Sequence, residues 1–154
     1  MSKRSLVFLF FGLVSLFLMF FQPYKLVVVV GPSMEPTYKS GQLLISKKSS
    51  KYSVGDIAVV KTEEGLIIKR IIFVEGQIYY NRLNNQKKEI ELIYGPVLYD
   101  QLMREHKEYP IYSIKIPKNQ YYILGDNWNN SEDSRTFGTI TKDQILYKVI
   151  EWYV

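Results

Sequence analysis

Cysteine is absent from the 154 residues. That excludes a disulfide framework, a thiol nucleophile and any thiolate metal site. Histidine is almost absent. Its one copy, His106, stands among Arg104, Glu105, Lys107 and Glu108 and reads as an exposed residue near a helix end. A Ser–His–Asp triad and a zinc site are therefore not expected. No G-x-S-x-G elbow occurs, and no serine is followed three positions later by lysine, so two further serine-enzyme patterns are missing. Charge of one sign is also scarce. The formal net charge is +5, and Lys3 and Arg4 supply part of it. The remainder is too small and too dispersed for nucleic acid to be an expected partner. There is no internal repeat and no low-complexity tract.

What is present falls into an apolar segment and a strand-forming remainder. Leu6 to Phe21 carries no charge. As a helix of about sixteen residues it would be about 24 Å long, slightly short of a ~30 Å hydrocarbon core. It ends Phe20-Phe21-Gln22-Pro23-Tyr24, with no small-x-small cleavage site. We read it as an uncleaved transmembrane anchor. Lys3 and Arg4 precede it, so the N-terminus is expected to stay cytoplasmic and the rest to lie outside the membrane, with the lipid bilayer as a partner. The expected division is 1–22 for the cytoplasmic stub and anchor, and 23–154 for one extracytoplasmic domain. Lys47-Lys48 and Lys87-Lys88 read as solvated loop charges, placed to meet anionic headgroups if a membrane is near.

Thirteen Tyr and eight Phe, with many Val and Ile, favour strands after residue 22. Strands are expected at Leu26–Val30, Gln42–Ser46, Ile57–Lys61, Leu66–Val74, Gln77–Tyr80, Glu89–Ile93, Ile111–Ile116, Tyr121–Leu124 and Ile145–Val154. Glu63-Glu64-Gly65 forms a hairpin turn. Asn81–Lys88 reads as a polar loop, and Gly125–Gly138 as a long irregular one of the kind that often carries function. One helix is expected from Val97 to His106, and a helical turn at Thr141–Gln144. The fold class is mainly β: a folded-sheet or β-barrel-like catalytic domain behind one N-terminal transmembrane helix.

Three stretches carry chemistry. In Gly31-Pro32-Ser33-Met34-Glu35-Pro36-Thr37 two prolines force a turn after an apolar strand. Ser33 sits where the backbone can present a hydroxyl. With neither Cys nor a usable His, a serine nucleophile needs a lysine base. Lysine acts as a base only when neutral, and its ordinary pKa is about 10.4, so burial among apolar groups has to depress it. Lys69 fits, inside Gly65-Leu66-Ile67-Ile68-Lys69-Arg70-Ile71-Ile72-Phe73-Val74. Every other lysine reads as polar, turn-like or outward-facing. The third stretch is Gly125-Asp126-Asn127 through Ser131-Glu132-Asp133-Ser134-Arg135 to Phe137-Gly138. Arg135 can fork onto Asp133, and Ser131 can hydrogen-bond a neutral lysine. The spacing does not match a calcium loop.

Taken together, in this order and after one apolar segment, these stretches and Gly55-Asp56-Ile57 resemble the type I signal peptidases, in their small single-span Gram-positive form. The resemblance covers nearly the whole chain and is weakest over Gln77–Asn119. It implies a membrane-bound serine endopeptidase that removes signal peptides from exported preproteins after a small-x-small motif, with no metal or organic cofactor. Ser33 would be the nucleophile, Lys69 the general base and Ser131 the residue holding the Lys69 amine. Asp133 with Arg135, and Asp126 with Arg70, would shape the site. The Ser33 N–H would donate to the oxyanion. Gly31 stands where many relatives carry a second, hydroxyl donor. Val27, Val29, Met34, Tyr38, Ile67 and Ile68 would wall the pockets for small side chains. After Lys69-Arg70 the chain departs from the family's Gly-x-Pro-Gly-Asp-like turn, keeping only Gly76 of Phe73–Gln77. Two other readings are a Ser–Lys peptidase with a narrower substrate and a catalytically weak relative that binds signal peptides.

Overall fold

The computed structural model describes residues 3–21, 23–84, 89–93 and 111–150. Helix α1 spans Lys3–Phe21, and ten strands follow. They are β1 Tyr24–Val28, β2 Leu43–Lys47, β3 Ile57–Thr62, β4 Gly65–Val74, β5 Ile78–Asn84, β6 Glu89–Ile93, β7 Ile111–Lys115, β8 Gln120–Leu124, β9 Ile140–Thr141 and β10 Ile145–Val149. A one-turn helix, α2, occupies Ser134–Phe137, and 3-10 turns occupy Trp128–Asn130 and Lys142–Gln144.

The protein is mainly β, and all its described strand pairings are antiparallel. Seven strands form one sheet in the order β1-β2-β10-β3-β4-β8-β9, and three form a second in the order β6-β5-β7. Among the described residues the larger ladder has two ends, β1 and β9, and forms a folded sheet without closing into a barrel. The sequence explains the middle of it. Ile57, Ala58, Val59 and Val60 are all buried, as an unbroken apolar run requires when both faces of a strand are covered. Ile57 and Val59 join one core with Val29, Met34, Leu44 and Val149. Ala58 and Val60 join another with Ile71, Ile123, Ile140 and Ile145. Each large aliphatic side chain so buried contributes about 1.5–3 kcal/mol. A third cluster of Tyr79, Ile116, Tyr122 and Leu124 binds the small sheet to β8, with the Tyr79 and Tyr122 rings 4.6 Å apart.

Several expectations are corrected. Asn81–Asn84 is not loop: β5 continues to Asn84, paired with β7 through Arg82 and with β6 through Asn84. A central strand takes its bonds from the backbone, so polar residues did not end it. Gly125–Gly138 is not irregular throughout, since it contains a 3-10 turn and α2. β10 ends at Val149; the expected continuation over 151–154 and the expected helix Val97–His106, with His106, lie outside the described residues. The departure at Phe73–Gln77 leaves β4 whole. Val74 N–H donates to Gln77 Oε1 at 2.8 Å, Gln77 N–H to Val74 O at 3.1 Å and Gly76 N–H to Ile116 O at 3.0 Å.

Among the described residues no helix is long and apolar enough to cross a membrane. α1 has 19 residues including Lys3 and Arg4, and its uncharged part from Ser5 would be about 25 Å long, below a ~30 Å core. Its described side chains are largely exposed, among them Leu6, Phe8, Leu9, Phe10 and Phe11.

Candidate active site

The turn after β1 is fixed at both ends. Gly31 has φ +81°, a left-handed conformation that glycine adopts without strain, and it swings the chain out of the strand direction. Glu35 N–H donates to Pro32 O at 3.0 Å and Tyr38 N–H to Met34 O at 2.9 Å. The Glu35–Pro36 peptide is cis. Met34 is only 1% exposed and plugs the turn into the first core. Its neighbour Ser33 is left at the rim with a clear hydroxyl.

Lys69 comes from β4, where its register partner on β3 is Ala58. It is 4% exposed, and its Nζ lies 2.8 Å from Ser33 Oγ. Burial lowers its pKa. Asp133 pulls it back up, Arg135 pushes it down, and Glu132 raises it, but burial is the largest influence. An amine so placed is held toward its neutral, proton-accepting form.

The Gly125–Gly138 segment braces the Ser33 turn. Asp133 is fully buried. Its Oδ2 accepts from Gly125 N–H at 3.0 Å, Ser131 Oγ at 2.8 Å and Arg135 Nη2 at 2.8 Å, and its Oδ1 from Arg135 Nε at 2.8 Å. Burial alone would raise the Asp133 pKa. The Arg135, Gly125 and Ser131 donors together hold it below the ordinary carboxylate range. Ser131 thus gives its proton to Asp133, and its oxygen is left as an acceptor. Gly125 allows a very close approach. A Cβ there would collide with Ser131 Oγ and would stand 2.5 Å from Ser33 O. Next to it, Asn127 N–H donates to Ser33 O at 3.0 Å and Asn127 Nδ2 to Pro32 O at 3.2 Å.

Arg70 makes the second bidentate pair. Its Nε and Nη2 donate to Asp126 at 2.9 and 2.7 Å, and its Nη1 to Gly55 O at 2.9 Å. Burial would raise the Asp126 pKa, but hydrogen bonds from Arg70 and Thr37 and the Arg70 charge outweigh it and lower the pKa. The Ser33 turn, the Gly55-Asp56-Ile57 segment and the Gly125 loop are joined through this pair.

The family model described as signal peptidase, peptidase S26, matches residues 2–153. The chain belongs to that family. Its relatives include the mitochondrial ATP-independent inner membrane protease subunit 1b of Arabidopsis thaliana, 34% identical over 132 residues, covering 80% of this chain and 66% of that protein. Signal peptidase I P of Bacillus subtilis subsp. natto is 31% identical over 143 residues, with 82% and 73% covered. Signal peptidase IB of Staphylococcus aureus strain Mu50 is 32% identical over 143 residues, with 79% and 73% covered. The chain therefore spans just under two thirds of the length of the first of these relatives and about three quarters of the other two.

In this member of the S26 family a cleft of about 460 Å³ opens beside the Ser33–Lys69 pair. Of the wall residues expected from the sequence, Val27, Val29, Met34, Ile67 and Ile68 line it. Tyr38 does not: it packs against the first core. Gly31 is also outside the lining, and its N–H donates to Ser40 Oγ at 3.2 Å. Sequence reasoning missed Lys25, Leu26, Val28 and Val30 on and just after β1, and Val59, Leu66 and Tyr147 on other strands. Tyr147 reaches the cleft only through pairing of β10 with β3 and β2, for which no local signal exists. Lys148 is likewise an overlooked lysine in an apolar run, Ile145 to Ile150. Its Nζ lies 2.6 Å from Asp56 Oδ1. Among the described residues no group of three or more His, Asp or Glu is placed to hold a metal ion.

Proposed function

We propose that this chain is a membrane-anchored serine endopeptidase that removes signal peptides, with Ser33 as nucleophile and Lys69 as general base. The 2.8 Å approach of a buried lysine amine to Ser33 Oγ carries the reading. Neutral Lys69 takes the Ser33 proton as Oγ attacks the scissile carbonyl. The tetrahedral oxyanion faces the Ser33 N–H, which has no described acceptor in the protein. Collapse expels the amine of the mature protein, which takes the proton from Lys69 as it leaves. Water, deprotonated by Lys69, then attacks the acyl-serine and restores Ser33. Ser131 Oγ donates its hydrogen bond to Asp133, which leaves its lone pairs to accept from the Lys69 amine in this reading. Asp133–Arg135 and Asp126–Arg70 hold this arrangement in place. No metal or cofactor enters any step.

The acyl side of the substrate is an extended strand. β1 pairs only with β2. β4 pairs with β3 over Gly65–Arg70, whereas its pairing with β8 begins at Arg70, so its other edge is open over Leu66–Lys69. The cleft lies between these edges, and both strands run toward the reactive pair. A peptide added there gains backbone hydrogen bonds and sends alternate side chains toward Val29, Met34 and Ile68. Preproteins with a small-x-small motif fit the family resemblance.

α1 is the anchor in this reading. A helix apolar on all sides belongs in a core or a bilayer, and the described side chains of α1 are not covered by the protein. Lys3 and Arg4 can snorkel to extend its short span, keeping the N-terminus cytoplasmic and the peptidase domain outside. The test is cleavage of a small-x-small preprotein by detergent-solubilised protein beside Ser33→Ala and Lys69→Ala. Cleavage at that site by the wild type, with both variants at least ~10⁴-fold slower, is expected. Equal cleavage by all three would sink the dyad. No cleavage by any folded protein would favour a narrower substrate or a purely binding role.

A further inference from the structure

A second cavity, about 320 Å³, lies away from the cleft and is lined by Lys48, Ser49, Tyr52, Lys142, Asp143, Ile145 and Leu146. Lys48 and Lys142, which come from distant parts of the chain, share its wall. Neither has a described ion-pair partner, and the same holds for neighbouring Lys47; the ion pairs among the described residues belong to Arg70, Arg135 and Lys148. Asp143 is the one acidic lining residue. The position is informative. Lys48 N–H donates to Pro23 O at 3.4 Å, and Pro23 follows the end of α1 at Phe21 by two residues. Lys47 pairs in register with Tyr24, Ile45 with Leu26 and Leu43 with Val28. Strand alternation puts these six residues on one outward face, where Leu26 is 67% and Leu43 57% exposed. Uncompensated lysines thus border an exposed apolar hairpin at the foot of an apolar helix.

We infer that Lys47, Lys48 and Lys142 form a seat for the phosphate of an anionic phospholipid headgroup, steadying the catalytic domain against the bilayer. The inference rests on the reading of α1 as an anchor. Ammonium groups attract the headgroup phosphate, and the Tyr52 hydroxyl can donate to it; the Ser49 hydroxyl is already committed to Lys51 O at 2.6 Å. The adjoining Tyr24, Leu43 and Ile45 surface faces the acyl region, continuous with Leu26 and Val28 at the border of the cleft. An acidic protein would find the same charge, but it would gain nothing from the helix junction or the apolar hairpin.

The test uses the full chain in vesicles of phosphatidylcholine alone and of phosphatidylcholine with about 30 mol% phosphatidylglycerol. Flotation with both vesicle types reports the anchor. Amine labelling, read lysine by lysine by mass spectrometry, reports the seat. Lys47, Lys48 and Lys142 should label several-fold more slowly on the anionic vesicles, with the difference lost in high salt. Lys61 and Lys115, on other strands, should label alike on both. Equal labelling of the three lysines on two vesicle types that both float the protein would overturn the seat and leave the anchor standing. Failure to float with either type would remove the anchor and this inference together. Protection by a soluble acidic polypeptide in detergent, without protection on anionic vesicles, would assign the patch to a protein partner and overturn the lipid assignment.

Discussion

Lys69 and Lys148 flank the same residue. Ala58 on β3 is the register partner of Lys69 on one side and of Lys148 on the other, and both lysines sit in apolar stretches of sequence. Their surroundings differ completely. Lys148 meets the Asp56 carboxylate at 2.6 Å with a third of its side chain exposed. Lys69 meets a hydroxyl at 2.8 Å and is almost wholly buried. A carboxylate partner favours a charged amine, and burial beside a neutral hydroxyl disfavours it. One sheet therefore holds an ion-paired lysine and a buried one without a carboxylate partner in hydrogen-bond contact a single strand apart, and what separates them is the partner supplied by another segment.

The sharpest way to break this comparison is to remove each amine in turn. Lys69→Ala should reduce preprotein cleavage by at least ~10⁴-fold, and Lys148→Ala by less than about tenfold, because Asp56 does not touch the reactive pair. A comparable loss from Lys148→Ala would mean that the two amines are not distinct in role. Next in size is Gly125→Ala. Its Cβ would displace Ser131 and the Ser33 carbonyl, and misplacement on the order of 1 Å costs about 10²-fold in turnover. Kinetics alongside a thermal melt would separate misplacement from unfolding.

Stability gives a third contrast. Asp133→Ala should destabilise by about 3–5 kcal/mol in denaturant titration, since it strips Arg135 and the Gly125 N–H of their partner in a buried place. Acid should mimic part of this loss. Folding lowers the carboxyl pKa of Asp133 and Asp126, so their contribution is present above the unfolded carboxylate range and disappears as the pH falls through the folded values.

Lys69→Met should act in the opposite sense, raising Tm at neutral pH by a few degrees. The folded pKa of Lys69 is below the unfolded one, so its protonation favours the unfolded state. The gain should shrink as the pH rises through the folded value and vanish above the ordinary lysine range, where both states are neutral. Lys148→Met should give a loss, with Asp56 left unpaired. The smallest effect belongs to Glu132→Gln. Glu132 raises the Lys69 pKa, so its neutralisation should move the acid limb of the pH–rate profile to lower pH; an unmoved or alkaline-shifted limb would refute that electrostatic account.

Much of this was legible before the fold was known, for reasons that differ from residue to residue. The strands follow from β-branched and aromatic runs bounded by turn residues. Asp133 and Arg135 stand two apart, and their bidentate pair can be guessed locally. The Arg70–Asp126 pair joins residues 56 positions apart. Only the family resemblance pointed to it. Burial of Lys69 was read from its neighbours, yet the same argument would have selected Lys148. The placement of Tyr147 and Val59 in the cleft depends on which strand lies beside which, and local pattern does not encode that. Tyr38 was misplaced for a related reason: its position in sequence is next to the nucleophile, but its turn directs it into the core.

The open edge of β4 has one more consequence. Arg70 to Val74 is engaged by β8, and among the described residues the preceding stretch is left unpaired on that side, so in the proposed reading one strand is both framework and receptor. A peptide lying there is aligned by the same hydrogen-bond lattice that aligns Ala58 with Lys69. A slip of one residue would turn every side chain to the opposite face and carry the wrong bond to Ser33. In such a device the cut site is counted off as on a ruler, with Lys69 as its zero mark.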